Sequence, residues 1–339
     1  MRMDERKFLI LQAIIDDYIS TAMPVGSRTI SRKSGVGFSP ATIRNEMSDL
    51  EELGYLDQPH TSAGRIPSLK AYRLYVDHLM KVANLSEEES RHINDHLKMR
   101  ANQTEEVIKS AARALSDATR YTSVIVAPQL NTLQVKRIQF VPVTDNTALM
   151  ILVTTAGIVK DAVIQVPKGL TADHLYVISK TLTERLSDQP IGRVREIFEQ
   201  MIAEASDSRK LLTDVMNVVE TKLESPDSKD VVLGGTSNLL NYPEYADVNK
   251  AKNFLSVLET KDRLIPLLQQ NGGMEITIRI GPENGLKELE DCSVVSATYR
   301  VGDHSQGTLG IIGPTRMNYS RVISVLEYMG RALSNLLKE

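Results

Sequence analysis

The stretch Ser39-Pro-Ala-Thr-Ile-Arg-Asn-Glu-Met-Ser-Asp-Leu-Glu-Glu-Leu-Gly54 decides the fold of the N-terminal part of the chain. A serine followed by a proline is typical of a helix start, because the hydroxyl can accept a backbone amide and proline fits the first helical position. Gly54 stands where a left-handed residue commonly ends a helix. The sequence therefore predicts a helix over residues 40–53.

The two faces of this helix differ in chemistry. Ile43, Met47 and Leu50 are spaced four and three residues apart, which places them on one buried face. The opposite face near the N-terminus is small, amidic and cationic, as a helix that enters the major groove of DNA requires, since arginine can pair with guanine and asparagine with adenine. The residues that we expect to contact or approach DNA bases are Ala41, Thr42, Arg44, Asn45 and Ser48.

The flanking sequence predicts a winged helix. Apolar residues at helical spacing from Phe8 to Ile19 predict a first helix, and a short second helix is expected over residues 28–33 with Ser27 as its cap. Tyr55-Leu56 and Ile66-Pro67 predict the strands of a short hairpin, with Gly64-Arg65 at its tip on a phosphate or in a minor groove. The candidates for the DNA backbone or the wing are Ser27, Arg28, Arg32, Lys33, Ser39, Gly64 and Arg65.

Helix-turn-helix geometry alone leaves other functions open. It also occurs in enzymes and in protein-binding modules, and an exposed arginine and asparagine are also what an ordinary solvated helix face carries. The DNA-binding interpretation is therefore a hypothesis that the charge distribution has to support.

The distribution of charge supports DNA binding where the total does not. The chain has 40 basic and 43 acidic residues, a net charge of −3. Residues 23–45 carry four basic groups and no acid, residues 46–57 five acids and no base, and residues 58–75 three basic groups and no acid. Positive charge is thus concentrated around the start of the predicted recognition helix, and the pattern excludes only indiscriminate nucleic-acid binding.

Composition narrows the remaining classes of protein. The single cysteine, Cys292, excludes an intramolecular disulfide framework and a cysteine-based zinc cluster. Residues 1–7 lack an apolar signal core, and the apolar run over 148–159 is interrupted by threonines and shorter than the ~20 residues of a membrane span. We therefore expect a soluble cytoplasmic protein without a membrane partner.

No catalytic or cofactor motif emerges from the sequence. His92 and His96 share a helical face but lack further ligands at a recognisable spacing, so a solvated linker helix is the preferred interpretation. Gly235-Thr-Ser-Asn238 lacks the ending of a phosphate loop and is expected to be a capped turn. Cys292 follows an acidic pair, which disfavours a thiolate, so a buried and unreactive side chain is expected. We predict no enzyme activity, no metal site and no cofactor.

The rest of the chain predicts an α+β protein of several domains. Strand patterns over 123–165 and 274–312 lie on both sides of a mostly helical middle, which favours one α+β domain split by an insertion. The predicted boundaries are 1–84 for the winged helix, 85–119 for a linker helix, 120–170 with 274–339 for the split domain, and 171–273 for the insertion.

Several long blocks of the sequence together form a specific signature. They are Pro24–Ile30, Ser39–Met47, Leu50–Leu56, Pro59–Pro67, Gly235–Leu239, Ile280–Asn284, Leu289–Tyr299 and Gly310–Ile323. These blocks resemble one bacterial family, the heat-inducible transcription repressors HrcA. The resemblance extends from near residue 4 to the end, with little signal near 85–120 and 190–230.

The resemblance implies more than the residues alone predict. It implies a homodimer in which the split domain is GAF-like and the inserted domain dimerises, bound to the inverted-repeat operator CIRCE upstream of chaperone genes. It further implies release on heat stress and dependence on a GroE-type chaperonin. A metabolite-sensing regulator with a small-molecule site in the GAF-like domain is the alternative, and an enzyme built on the α+β domain is a weaker one.

Overall fold

The computed structural model shows helices and antiparallel sheets, in agreement with the predicted α+β class. No helix among the residues described is long and apolar enough to cross a membrane. The described residues are 3–33, 35–60, 64–98, 104–128, 133–167, 170–204, 209, 212–213, 216–217, 231–268, 276–301 and 305–337.

The N-terminal segment has three helices, a two-stranded hairpin and a fourth helix. Its elements are α1 (Glu5–Thr21), α2 (Ser27–Ser31), α3 (Pro40–Glu52), β1 (Leu56–Asp57), β2 (Ile66–Pro67) and α4 (Leu69–Leu74). The two strands pair antiparallel, with Leu56 opposite Pro67. Apolar faces of α1, α2 and α3 meet in the core, where Ile14, Ile30 and Ile43 are fully buried. These elements follow the order that the sequence predicts.

Two local predictions in this segment are wrong. The second helix begins at Ser27, with Gly26 as its cap residue and without a side-chain cap, because Val25 is held in a backbone bridge to Arg65 and the extended chain ends there. Gly64 and Arg65 consequently lie beside Val25, where Arg65 pairs with the Val25 backbone just before β2, rather than projecting from the hairpin. A Cβ atom on Gly64 would lie 2.4 Å from the Val25 carbonyl oxygen, so this close approach requires glycine.

The predicted solvated linker helix is two helices packed against the core. These are α5 (Glu87–Lys98) and α6 (Thr104–Thr119), which follow a π-helical turn over Tyr75–Leu79. Ile93 and Leu97 of α5 are buried, as are Ile108 and Leu115 of α6. Apolar residues at helical spacing give each helix an inner face, so neither acts as a solvated spacer.

The main sheet has five antiparallel strands in the order β7-β3-β10-β9-β8. The strands are β3 (Thr122–Val126), β7 (Val231–Gly234), β8 (Thr277–Ile280), β9 (Cys292–Val301) and β10 (Ser305–Pro314). Helices cover both of its faces, with α5, α6 and α11 on one and α9 and α10 on the other. The last three helices are α9 (Val248–Glu259), α10 (Lys261–Leu268) and α11 (Tyr319–Leu336).

A second sheet is separate from the first, so the predicted grouping of all these strands in one domain is wrong. It contains β4 (Val135–Thr144), β5 (Thr147–Thr154) and β6 (Val159–Gln165), paired in that order. One face packs on α7 (Ala172–Leu186) and α8 (Val194–Glu204) in a separate apolar core.

The two sheets divide the chain differently from the predicted ranges 120–170 and 171–273. Strands β4–β6 lie in the first range but pack on helices α7 and α8 of the second. Strand β7 lies in the second range but pairs within the main sheet, and α9 and α10 pack on that sheet. Alternating burial along β5 shows that a strand has one inner face, but the sequence does not show which helices cover it.

Candidate DNA-binding surface

Helix α3 has the capped, two-faced form that the sequence predicts. The Ser39 hydroxyl accepts a hydrogen bond from the Thr42 backbone N–H at 3.1 Å, and Pro40 is the first helical residue. After the helix, Gly54 adopts a φ of +75°, the left-handed conformation that favours glycine. Ile43 and Leu50 are completely buried, which fixes the opposite face of α3 towards solvent.

The outward face of α3 brings together the five residues predicted to meet DNA bases. Ala41, Arg44, Asn45 and Ser48 are exposed, and Thr42 is half-buried with its hydroxyl 2.9 Å from that of Ser39. Arg44 has no ion pair with any other residue that the structure describes. A guanidinium and an amide therefore stand side by side in the N-terminal half of the helix, free to bind a ligand.

The residues predicted to contact phosphates divide into two groups. Arg28 and Arg32 of the α2 region and Ser39 are exposed, and neither arginine has an ion pair within the described part of the chain. Lys33 is instead bound to Asp17 at 2.7 Å, and Arg65 to Glu51 at 2.7 Å.

The other two candidates are less accessible than predicted. Ser27 is buried, and Gly64 is half-buried against the Val25 backbone. Arg28 and Arg32 are thus the cations of this set that remain free to bind an anion.

Two acidic groups of α3, Glu46 and Asp49, are neutralised from within the segment. Lys7 of α1 lies 2.8 Å from Glu46 and 3.0 Å from Asp49, and only 8 % of its side chain is exposed. The hydrogen bond to Glu46, and to a smaller extent that to Asp49, raises the pKa of Lys7. Arg6 adds a second contact to Glu46 at 3.2 Å. These two carboxylates are therefore paired with cations of α1 and repel DNA phosphates less than free carboxylates would.

Sequence reasoning missed Lys7, although a signal for it exists. Lys7, Ile10, Leu11 and Ile14 are spaced three and four residues apart, so this lysine lies on the apolar face of α1. A lysine on such a face needs a buried acidic partner, and Glu46 on the apolar side of α3 supplies one.

Lys70 was also missed, and it stabilises the end of α3. Its ammonium group donates to the Leu53 carbonyl at 2.8 Å and lies 4.3 Å from the centre of the Tyr55 ring. A cation at the C-terminus of a helix interacts favourably with the helix dipole. The loop that follows is held by Ser68, whose hydroxyl donates to the Gly54 carbonyl at 2.8 Å.

Two other motifs, around Gly235 and Asn284, are explained by packing. Gly235 has a φ of +60° and precedes a 3-10 helix over Thr236–Asn241, in which the Asn238 amide donates to the Ser116 hydroxyl at 3.0 Å. The buried Asn284 amide lies 2.9 Å from the Gly281 and Cys292 carbonyls. Each asparagine closes a turn by binding backbone oxygens or a hydroxyl, and neither motif forms a phosphate-binding loop.

The histidine pair and the surface groove show where other ligands could be sought. His92 and His96 lie on exposed turns of α5 with their ring centres 4.4 Å apart, and no cluster of three metal-ligating side chains occurs among the described residues. A groove of about 550 Å³ lies between β4 and α7, lined by Arg137, Tyr176 and Lys180 among others. One of its walls, β4, lies within the range 120–170 predicted for the GAF-like domain, and the other, α7, lies within the predicted insertion.

Cys292 is buried, and its thiol is expected to react slowly. Burial raises its pKa to about 12, and the Tyr245 hydroxyl lies 3.2 Å from its sulfur. Burial is the main cause of this shift, and the neighbouring Asp291 adds to it. Alkylation by iodoacetamide at pH 8 should be at least about a hundredfold slower in the native protein than in urea, because the thiolate is the reactive form. Mass spectrometry of timed samples measures both rates, and similar rates would contradict this assignment.

Comparison with known proteins places this surface in a class. The family model described as HrcA protein C terminal domain matches residues 105–323. The heat-inducible transcription repressor HrcA of Ruminiclostridium cellulolyticum is 45 % identical, over 97 % of this chain and 96 % of its own. That of Clostridium tetani is 44 % identical, over 100 % of this chain and 97 % of its own. A crystal structure described as a hypothetical protein is 26 % identical with a TM-score of 0.68, covering 99 % of each chain.

The class defined by these relatives is that of transcription repressors, which act without enzymatic chemistry. This agrees with a helix whose exposed face carries hydrogen-bonding groups and no catalytic constellation. The chain belongs to the HrcA family of heat-inducible transcription repressors. The predicted family and the prediction of a repressor rather than an enzyme are therefore confirmed.

Proposed function

We propose that residues 3–79, named here the DNA-binding segment, form a winged helix-turn-helix that inserts α3 into the major groove. The observation that carries this proposal is the unpaired Arg44 and Asn45 on an exposed helix face beside the free Arg28 and Arg32. Arg44 and Asn45 approach base edges, with Ala41, Thr42 and Ser48 allowing close contact. Arg28, Arg32 and Ser39 contact phosphates. Lys33 and Arg65 instead stabilise the segment through their ion pairs with Asp17 and Glu51.

The second part of the proposal is a homodimer on an inverted repeat. A two-fold symmetric protein matches a palindromic operator, with one recognition helix in each half-site. The outer face of the second sheet offers an apolar surface to a second copy, because Leu149 lies opposite Val141 on one side and Val163 on the other. Val163 is 65 % exposed and Val141 38 %. We assign dimerisation to this sheet with α7 and α8, and the GAF-like role to the main sheet.

Operator, chaperonin and location complete the proposal. By family resemblance the operator is the CIRCE inverted repeat of chaperone genes, and the protein works in the cytoplasm, where a bacterial chromosome lies. A GroE-type chaperonin sets the active fraction by acting on a marginally stable repressor. Operator binding by the pure protein before and after mild heating, with and without chaperonin, tests this part. Binding that chaperonin leaves unchanged in both conditions would contradict it.

A gel shift with the full chain tests the DNA-binding proposal. We expect the protein to bind a duplex carrying the inverted repeat of a chaperone operon at least about a thousandfold more tightly than a scrambled duplex of equal length and composition. The salt dependence of both affinities should be measured, because phosphate contacts contribute to both complexes. Equal affinity for the two duplexes would remove the basis for sequence-specific repression.

A further inference from the structure

The DNA-binding segment docks against one end of the main sheet. Strands β8 and β10 run in the same direction, because each pairs antiparallel with β9, so the loops that follow them lie at the same end. Helix α4 contacts the loop after β8 and the first residue of α11, which follows the loop after β10. Tyr72 packs near Tyr319 with ring centres 6.3 Å apart, and Arg73 binds Glu283 and donates to the Ile278 carbonyl at 2.9 Å.

Arg316, in the loop after β10, makes a further contact across this junction, to α1 rather than to α4. Its guanidinium is nearly buried and forms a two-point ion pair with Glu244, one bond of which measures 3.1 Å. Its remaining terminal nitrogen donates to the Ile19 carbonyl at 3.1 Å. The Tyr242 ring lies 5.5 Å away, against the same guanidinium. Arg316 thus joins α1 to the main-sheet unit.

The position of Ile19 makes this contact more than a surface hydrogen bond. Ile19 lies in the last turn of α1, where carbonyl groups have no partner within the helix. A guanidinium there satisfies an open carbonyl and meets the negative end of the helix dipole. Planar donors in a fixed fork also define direction, which a flexible lysine does not. Orientation of α1, and with it of α3, is therefore coupled to the loop after β10.

We propose that Arg316 is a positioning residue for operator binding, which holds the two DNA-binding segments of a dimer at the spacing of the two half-sites. This inference rests on the proposed function. Binding to both half-sites at once depends on the effective concentration of the second segment after the first has bound. Removing the Arg316 contact loosens the hold of the main sheet on α1 and so lowers that concentration, whereas it leaves the contacts within one half-site intact.

The test compares two DNA duplexes with the full-length chain. One carries the inverted repeat, and the other carries a single half-site with the second half scrambled. We expect Arg316→Ala to bind the inverted repeat at least about tenfold more weakly and the half-site within about twofold of the parent. Glu244→Gln, which keeps Arg316 but removes its charged partner, should shift the same ratio in the same direction by a smaller factor.

Arg321→Ala is the matched control. Arg321 also ties elements together, through the Ala118 carbonyl at 2.9 Å and Glu89 at 2.6 Å, but it does not contact the DNA-binding segment. Its ratio of the two affinities should equal that of the parent. Thermal unfolding of each variant identifies a misfolded chain, and Glu244→Gln then remains as the informative variant.

The outcomes separate the inference from the function on which it rests. Equal losses on both duplexes, an unchanged ratio, or tighter binding of the inverted repeat by Arg316→Ala would each overturn the positioning role. If the parent chain itself does not distinguish the inverted repeat from a scrambled duplex, the proposed function is what fails.

Discussion

Replacing Arg44 with alanine should weaken operator binding by about 1–3 kcal/mol, with the loss confined to sequences that carry the cognate guanine. Arg44 is exposed in the N-terminal half of α3 and has no ion pair among the described residues. Its guanidinium can therefore bind the two acceptors of a guanine without first breaking an internal contact. Competition gel shifts with operators changed at single base pairs measure this loss of discrimination.

Arg32→Ala is the matched comparison, because Arg32 is also exposed but precedes α3. A phosphate contact carries no sequence information, so this variant should bind all duplexes more weakly and show a salt slope reduced by about one. Arg44→Ala should therefore lose discrimination between sequences, whereas Arg32→Ala should lose affinity for all of them. Equal losses on operator and random DNA for both would contradict the assignment of Arg44 to a base and Arg32 to a phosphate.

Replacing Lys7 with methionine should destabilise the DNA-binding segment by about 3 kcal/mol. The ammonium group is nearly buried between Glu46 and Asp49, and its removal leaves two carboxylates facing each other with little water. Breaking a buried pair on one side is costly, because the remaining carboxylates lose the cation nearest to them. Native-state amide exchange in α1 and α3 measures the local free energy of opening, which is better defined than one midpoint for a chain of several domains.

Two further variants isolate the electrostatic cause of that loss. Arg6→Met removes the other cation at Glu46, but half of the Arg6 side chain is exposed, so a change below about 1 kcal/mol is expected. Adding Glu46→Gln and Asp49→Asn to Lys7→Met should restore most of the lost stability, since neither carboxylate that Lys7 neutralised is then charged. If this triple variant is as unstable as Lys7→Met, the lost packing of the lysine stem is the cause instead.

The parts of the fold that local sequence determines could be predicted. The caps and the periodicity of α3 lie within a few residues of one another, and its buried and exposed faces follow from helical geometry alone. The five residues of the outward face therefore lie where they were expected. Their chemistry is equally local, because a side chain on an exposed face keeps its own donors and acceptors.

The features that depend on contacts between distant residues could not be predicted from the sequence. The sequence around Lys33 does not show that it forms an ion pair with Asp17, and that around Arg65 does not show its ion pair with Glu51. These ion pairs determine which cations remain free to bind phosphate. The alternation along β4–β6 predicts strands but not the sheet to which they belong, because strand patterns carry no record of their partners. The requirement for glycine at Gly64 likewise depends on Val25, almost forty positions earlier in the chain.

The order of strands in the main sheet has a consequence for folding during synthesis on the ribosome. Strand β3, buried along its whole length, pairs with β7 and with β10, and β10 begins roughly 180 residues after β3 ends. At translation rates of about 5–20 residues per second, β3 therefore waits on the order of 10–40 s for its second neighbour. During that interval an apolar strand has an open edge, which is a site of misassembly. Under the proposed dependence on a chaperonin, this open edge is where the nascent chain needs protection, and a cell short of free chaperonin should accumulate chains that lack operator affinity.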